Sequence, residues 1–159
     1  MDINEFSNAF DKISKDWMLV SARKDGKTNT MTASWGGLGF LWGKPVAMIF
    51  IRPQRYTKEF IDNSDYLSLS FFTEDYRKML SFMGTKSGRD VDKIKEQDLH
   101  FINGELAPVF KEAKTTLICK KLYAQEMTKE SFIDKDLIPK FYVNNDLHTT
   151  YIVEIEKVI

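Results

Sequence analysis

The sequence holds one cysteine and two histidines in 159 residues, and that scarcity excludes several kinds of chemistry. Cys119 alone closes no intrachain disulfide and builds no thiolate-rich zinc or iron–sulfur site. Set in the apolar run Leu117-Ile118-Cys119, it reads as a small core residue. His100 and His148 have no His, Cys or carboxylate partner at metal-ligand spacing, so no metal centre is expected. Charge of one sign is not in surplus either: 23 Lys and Arg face 23 Asp and Glu. Nothing global draws the chain to nucleic acid or anionic lipid. The longest apolar run, residues 46–51, is far short of a membrane span. The opening Met-Asp-Ile-Asn-Glu lacks the basic and apolar regions of a signal peptide, so a cytoplasmic location is expected. No GxSxG surrounds a serine, which leaves hydrolysis without support. No GxGxxG follows the first strand, which argues against a nicotinamide-binding Rossmann unit.

What the chain does have is core material, 43% apolar and 13% aromatic, in a length suited to one domain spanning residues 1–159. Asp2 and Glu5 resemble a capping box, and Ile3, Phe6, Phe10 and Ile13 follow at helical spacing. Residues 17–22 form an apolar run of strand length, Lys24-Asp25-Gly26-Lys27 a turn, and residues 28–34 a second strand pairing with the first. Residues 36–43 read as a glycine-punctuated loop near Trp35, Phe40 and Trp42, and residues 46–52 as an apolar strand covered on both faces. Thr57 is placed as the N-cap of a helix over residues 58–62. Residues 67–71 alternate as a half-buried strand. Thr73 caps a further helix whose buried stripe is Tyr76, Met79, Leu80 and Met83. Residues 84–111 are polar and irregular apart from a helical turn at 92–96, and an excursion of that length implies a job. Strands at 115–123 and 149–159 close the chain. The fold class expected is mainly β with inserted helices, an antiparallel barrel rather than a doubly wound sheet.

Three segments suit an anionic, planar ligand. In Asn29-Thr30-Met31-Thr32-Ala33-Ser34-Trp35-Gly36 the hydroxyls at 30, 32 and 34 repeat with the strand period and share a face, while small residues admit a flat ring. The plainer reading is a Thr-rich edge strand. In Arg52-Pro53-Gln54-Arg55-Tyr56-Thr57 a strand ends in two arginines just before a helix, a combination suited to phosphate. The plainer reading is a solvated strand end. In Lys86-Ser87-Gly88-Arg89-Asp90-Val91-Asp92-Lys93 a loop of backbone donors is joined by Lys93. The plainer reading is a solvated mixed-charge loop.

Taken in order with Trp17-x-Leu-Val and Trp42-x-Lys-Pro, these segments resemble the flavin reductase-like, FMN-binding split-barrel family, which includes the flavoredoxins. The resemblance implies a six-stranded antiparallel Greek-key barrel, a homodimer, and non-covalent FMN near the dimer interface. It implies that Asn29, Thr30, Met31, Thr32, Ala33, Ser34 and Trp35 line the ring and ribityl chain, and that Arg52, Arg55, Tyr56 and Thr57 take the phosphate. It further implies that Ser87, Gly88, Arg89 and Lys93 close over the flavin, and that His148 matches a family histidine. Many relatives carry glycine where Val153 stands. The implied activity is flavin reduction with NADH or NADPH as reductant, with no side chain named as acid or base. Two alternatives stay open: an electron-transfer flavoprotein that serves a redox protein partner without a small-molecule substrate, and a non-catalytic split-barrel interaction module.

Overall fold

The computed structural model describes residues 8–159. The expected cap at Asp2 and Glu5, with Ile3 and Phe6, lies outside those residues. The first described helix, α1 (Ala9–Asp11), is capped by the Asn8 side chain and runs into a π-helical turn, Lys12–Asp16. Ile13 is buried but Phe10 is 88% exposed, so the two do not share the buried stripe that their spacing suggests.

Nine strands follow. Seven of them, β1 (Met18–Lys24), β2 (Lys27–Ala33), β3 (Gly36–Leu41), β4 (Lys44–Ile51), β5 (Tyr66–Phe71), β8 (Thr115–Glu126) and β9 (Thr149–Val158), form one sheet in the order β2-β1-β5-β8-β9-β4-β3. Every neighbouring pair is antiparallel. The other two, β6 (Phe101–Ile102) and β7 (Val109–Phe110), make a separate ribbon. The resemblance implies six strands; the ladder has seven because residues 36–41, read as a loop, pair in full register with β4. Glycine hides such a strand from a propensity reading, yet Gly36 is required here: a Cβ would stand 2.7 Å from the Met48 carbonyl oxygen. Both short hairpins turn on two residues with positive φ, Asp25-Gly26 and Trp42-Gly43, the pattern that matches the twist of paired strands.

The sheet rolls up. Met18, Val20 and Ala22 of β1 share one core cluster with Ala47, Ile49 and Ile51 of β4 and with Tyr151, Val153 and Ile155 of β9, although β1 and β4 stand far apart in strand order. Two irregularities in the β8–β9 register, at Ile118/Cys119 and Lys121/Tyr123, mark where β8 bends. The helix α2 (Tyr56–Asp62) adds Phe60 and Ile61 to this interior. Val153 is fully buried opposite the small Ala47, so the larger side chain is accommodated in the core. Cys119 is buried too, and burial pushes its thiol well above its ordinary range.

A second cluster covers the outer face of β1. It joins Leu19 to Met79, Leu80 and Met83 of α3 (Arg77–Thr85), and to Leu99 and Phe110. The stretch after α3 is therefore packed rather than irregular. It holds α4 (Lys93–Glu96), capped by Asp92, and the β6–β7 ribbon, whose two-residue strands are too short to leave a period in sequence. A fifth helix, α5 (Leu137–Phe141), lies between β8 and β9. Among the described residues no helix is long and apolar enough to cross a membrane.

Candidate functional site

The apolar strand β4 ends at Ile51, and the chain turns so that the Arg55 N–H donates to the Arg52 carbonyl at 3.2 Å. Arg55, not Thr57, is the N-cap of α2, and no side chain caps the helix. Thr57 sits one turn position inside, fully buried, and accepts a hydrogen bond from the Asn29 side chain at 2.8 Å. The turn leaves Arg55 half-buried, its Nη1 donating to the Gly84 carbonyl at 3.0 Å. Lys93, only 4% exposed, donates its Nζ to the neighbouring Met83 carbonyl at 2.9 Å. Burial is the main reason that the Lys93 ammonium is depressed to about 8, with the Arg55 charge adding to it. Burial also lowers Arg55.

Two cations thus share one sunken place, and among the described residues no carboxylate lies within ion-pair distance of either. Carbonyl oxygens at the C-terminal turn of α3 hold them in position but leave most of their charge uncancelled. Around them Asn29, Tyr56, Thr57 and the Ser87-Gly88 turn enclose a pocket of about 140 Å³. Gly88 is needed for the closure. A Cβ there would fall 2.0 Å from the Asn29 Oδ1.

Past Met31 and Arg55 the pocket adjoins a cleft of about 240 Å³ that follows the end of β2 and the next two residues, 31–35, and is closed by Phe50, Gly84 and His148. As an outer strand of the sheet, β2 turns alternate backbone N–H and C=O groups away from β1 and offers polar edges without help from side chains. The hydroxyls of Thr30 and Thr32 share a face there, as expected, and both are engaged within the chain. Thr30 is fully buried and accepts from the Ser21 hydroxyl at 2.8 Å, and Thr32 donates to the Leu80 carbonyl at 2.5 Å. Thr32, Ala33 and Ser34 line the cleft, whereas Thr30, on the same face as Thr32, is covered.

The cleft's far wall is aromatic. His148 shares a hydrogen bond of 2.7 Å between its Nδ1 and the Tyr142 hydroxyl, and Trp35 and Phe50 lie 5.5 and 6.4 Å from its ring. Burial and the Arg52 charge depress the imidazole to about 4, so it is neutral at ordinary pH. Arg52 is committed here rather than beside Arg55 and Lys93. Its guanidinium pairs with Asp146 at 2.9 Å, donates to the Phe141 carbonyl at 3.0 Å and stacks over the Tyr142 ring. Arg89 is committed as well, to Glu59 at 2.6 Å and to the face of Tyr56. These two arginines fasten the walls; Arg55 and Lys93 supply the free positive charge.

Residues 10–159 match the flavin reductase like domain. The chain belongs to that family. Solved structures share the fold: a flavoredoxin from Methanosarcina acetivorans superposes with a TM-score of 0.72 at 23% identity, covering 91% of this chain and 67% of the other. An FMN-binding protein from Thermus thermophilus, crystallised with p-hydroxybenzaldehyde, gives 0.68 at 22% identity over 90% and 70%. The NADH:FAD oxidoreductase from Streptomyces globisporus C-1027, crystallised with NAD and FAD fragments, gives 0.66 at 15% over 91% and 73%. No curated protein matches the chain.

Set within the flavin reductase-like fold, most of the residues singled out in the sequence gather along one trough: Asn29, residues 31–35, Arg52, Arg55, Tyr56, Thr57, Ser87, Gly88, Lys93 and His148 line its two chambers. Sequence reasoning missed Phe50, Gln54, Gly84, Thr85 and Lys86, which complete the walls. Phe50 stands in a run, residues 46–51, that is apolar at every position, where no period says which side chains face outward.

Proposed function

We propose that the chain binds FMN non-covalently and works as a flavin-dependent oxidoreductase, drawing electrons from NADH or NADPH. The observation that carries this reading is the buried, carboxylate-free pair Arg55 and Lys93 in a pocket of phosphate size beside a longer, flatter cleft. A phosphomonoester fits that donor set. Each charge-assisted bond adds roughly 1.5–3 kcal/mol.

In this reading Arg55, Lys93 and the Ser87-Gly88 turn hold the phosphate. The outer edge of β2 holds the polar rim of the ring, with Trp35, Phe50 and His148 against it. When bound, FMN supplies a ring system able to accept and return hydride or electrons. The chain's own contribution is to orient it and keep water away. His148, neutral and tied to Tyr142, keeps a fixed ring orientation without adding charge beside the flavin. No side chain is assigned as acid or base. The proposal includes a homodimer in the cytoplasm, for which the half-exposed Trp35 and the exposed Phe40 and Trp42 supply apolar surface.

The test is a titration of the purified chain with FMN and with riboflavin, followed by absorbance. Saturation by FMN and weaker binding of riboflavin are expected; a chain that changes neither spectrum refutes the reading. Anaerobic addition of NADH or NADPH to the loaded protein then separates a reductase, which bleaches, from a carrier that waits for a protein donor.

A further inference from the structure

His148 turns its Nδ1 to the Tyr142 hydroxyl at 2.7 Å, and the direction of that bond decides what the cleft can hold. Tyr142 is fixed in place: it is only 8% exposed, meets Phe132 edge-on at 5.8 Å and lies under the Arg52 guanidinium. Burial pushes its phenol above its ordinary range, so the hydroxyl keeps its proton and has one to give. Two acceptors are in reach, the Met127 sulfur at 3.7 Å and the imidazole nitrogen at 2.7 Å. A thioether accepts weakly, whereas the shorter distance is that of a well-formed bond from a hydroxyl. The proton goes to Nδ1. The ring is neutral at ordinary pH and carries one proton of its own, which therefore sits on Nε2.

Nε2 opens onto the cleft. Among the described residues every buried side-chain nitrogen and oxygen has a hydrogen-bond partner, and Nε2 has none. It is therefore not sealed in, although His148 as a whole is only 5% exposed and lines the cleft beside Trp35 and Phe50. Tyr142, on the Nδ1 side, is not a wall of the cleft. One edge of the imidazole is thus committed to the protein, and the other is offered to whatever the cleft contains.

We infer that Tyr142 is a positioning residue that pins His148 as a hydrogen-bond donor to the cleft, so that the site selects a ligand presenting a carbonyl oxygen to Nε2–H. The inference rests on the flavin reading above and deepens it by naming the group that meets His148. A carbonyl on the rim of the flavin and the carbonyl of an organic substrate laid against it offer the same acceptor. A ligand that presents an N–H or an ammonium there is rejected, because two donors would face each other in a largely dry place.

The chain holds only two histidines, and His100 supplies the contrast. Its Nδ1 lies 2.6 Å from the Glu112 carboxylate, which only accepts, so the neutral His100 ring carries its proton on Nδ1. Long-range proton–nitrogen correlation spectra of the 15N-labelled chain at pH 7 read both tautomers directly, and His100→Gln assigns the signals. His148 is expected to carry its proton on Nε2, with Nδ1 shifted as a hydrogen-bonded acceptor. Tyr142→Phe, which keeps the ring and its packing, is expected to move Nδ1 toward the unbonded value and to let the two tautomers interchange. His148 protonated on Nδ1 in the wild type, or an Nδ1 shift unmoved by Tyr142→Phe, overturns the inference. FMN is then added, and acetophenone is added to the free and to the FMN-loaded chain. Movement of the Nε2 proton with FMN places the carbonyl on the flavin, and movement with acetophenone places it on a substrate. No movement with any of them overturns the inference. Whichever ligand moves that proton is expected to bind Tyr142→Phe about twofold more weakly, the reduction for a ring in its competent form half the time. Failure of the wild-type chain to bind FMN would bring down the flavin reading, while the tautomer and the response to acetophenone still decide this one.

Discussion

Arg55 and Lys93 come from segments 38 positions apart, yet they donate to adjacent carbonyls, Gly84 and Met83, at the end of one helix. That shared anchorage brings two positive charges together in a place where burial penalises both, an arrangement relieved by an anion between them.

Removing one of the two should therefore read out on the phosphate. Arg55→Ala is expected to weaken FMN by about 2 kcal/mol and riboflavin by much less. Parallel titrations of both ligands check this. Equal losses would mean that Arg55 is not at the phosphate.

Lys93 makes the same affinity depend on pH. Its free-chain pKa of about 8 lies below the ordinary lysine value of 10.5, and a bound phosphate would raise it by favouring the charged form. Between about pH 6, where a phosphomonoester takes up its own proton, and pH 8 the ammonium is already present and affinity is full. As pH rises through 8, binding must take up a proton, so FMN affinity should fall, by at most about tenfold per pH unit. Riboflavin titrated over the same range should show no such slope, and Lys93→Met should abolish it for FMN.

Arg52 predicts a different pattern from Arg55 even though only two residues separate them. It ties β4 to residues 141–146 through Asp146 and the Phe141 carbonyl. Arg52→Ala should lower the unfolding free energy by about 1–3 kcal/mol, because Asp146 is left partly buried without its main cation. FMN and riboflavin should weaken alike, since the ring wall loosens and the phosphate anchor does not. Urea unfolding and the two titrations separate the cases; a selective loss of FMN would return Arg52 to the phosphate.

Gly88→Ala tests the closure of the pocket. The new methyl would meet Asn29 at 2.0 Å and Tyr56 at 3.2 Å, so Asn29 must move and its bond to Thr57 breaks. A loss of about 1–3 kcal/mol in stability is expected from overpacking, together with weaker FMN binding. Adding Asn29→Ala should restore much of the stability, as a thermal melt would show, without restoring the affinity.

The sequence announces the β1–β2 hairpin because Asp25-Gly26 can take two positive φ values between strand-like runs. It conceals β3 because glycines carry no side-chain period, although Gly36 is the one residue that tolerates the Met48 carbonyl at that distance. The segment proposed to hold phosphate could be found, but its two arginines could not be told apart. What separates them is Asp146, 94 positions from Arg52, a partner that only the fold supplies. The hydroxyls of Thr30 and Thr32 share a face as their spacing requires; that they bond to Ser21 and to the Leu80 carbonyl of α3 is settled by packing.

Because the proposed reading has the cleft beside β2 take its polar contacts from the main chain, side-chain replacement is a poor probe of it. Alanine in place of Ser34, which lines the cleft, would register a small effect and leave the impression of an inert wall. An ester or N-methyl linkage introduced by semisynthesis, which deletes a single N–H, would expose the contact directly. The same reasoning lets a position such as Ser34 change its side chain while the polymer goes on offering the same bonds, a freedom that Asn29, Thr30 and Thr32, tied by their own side chains, do not share.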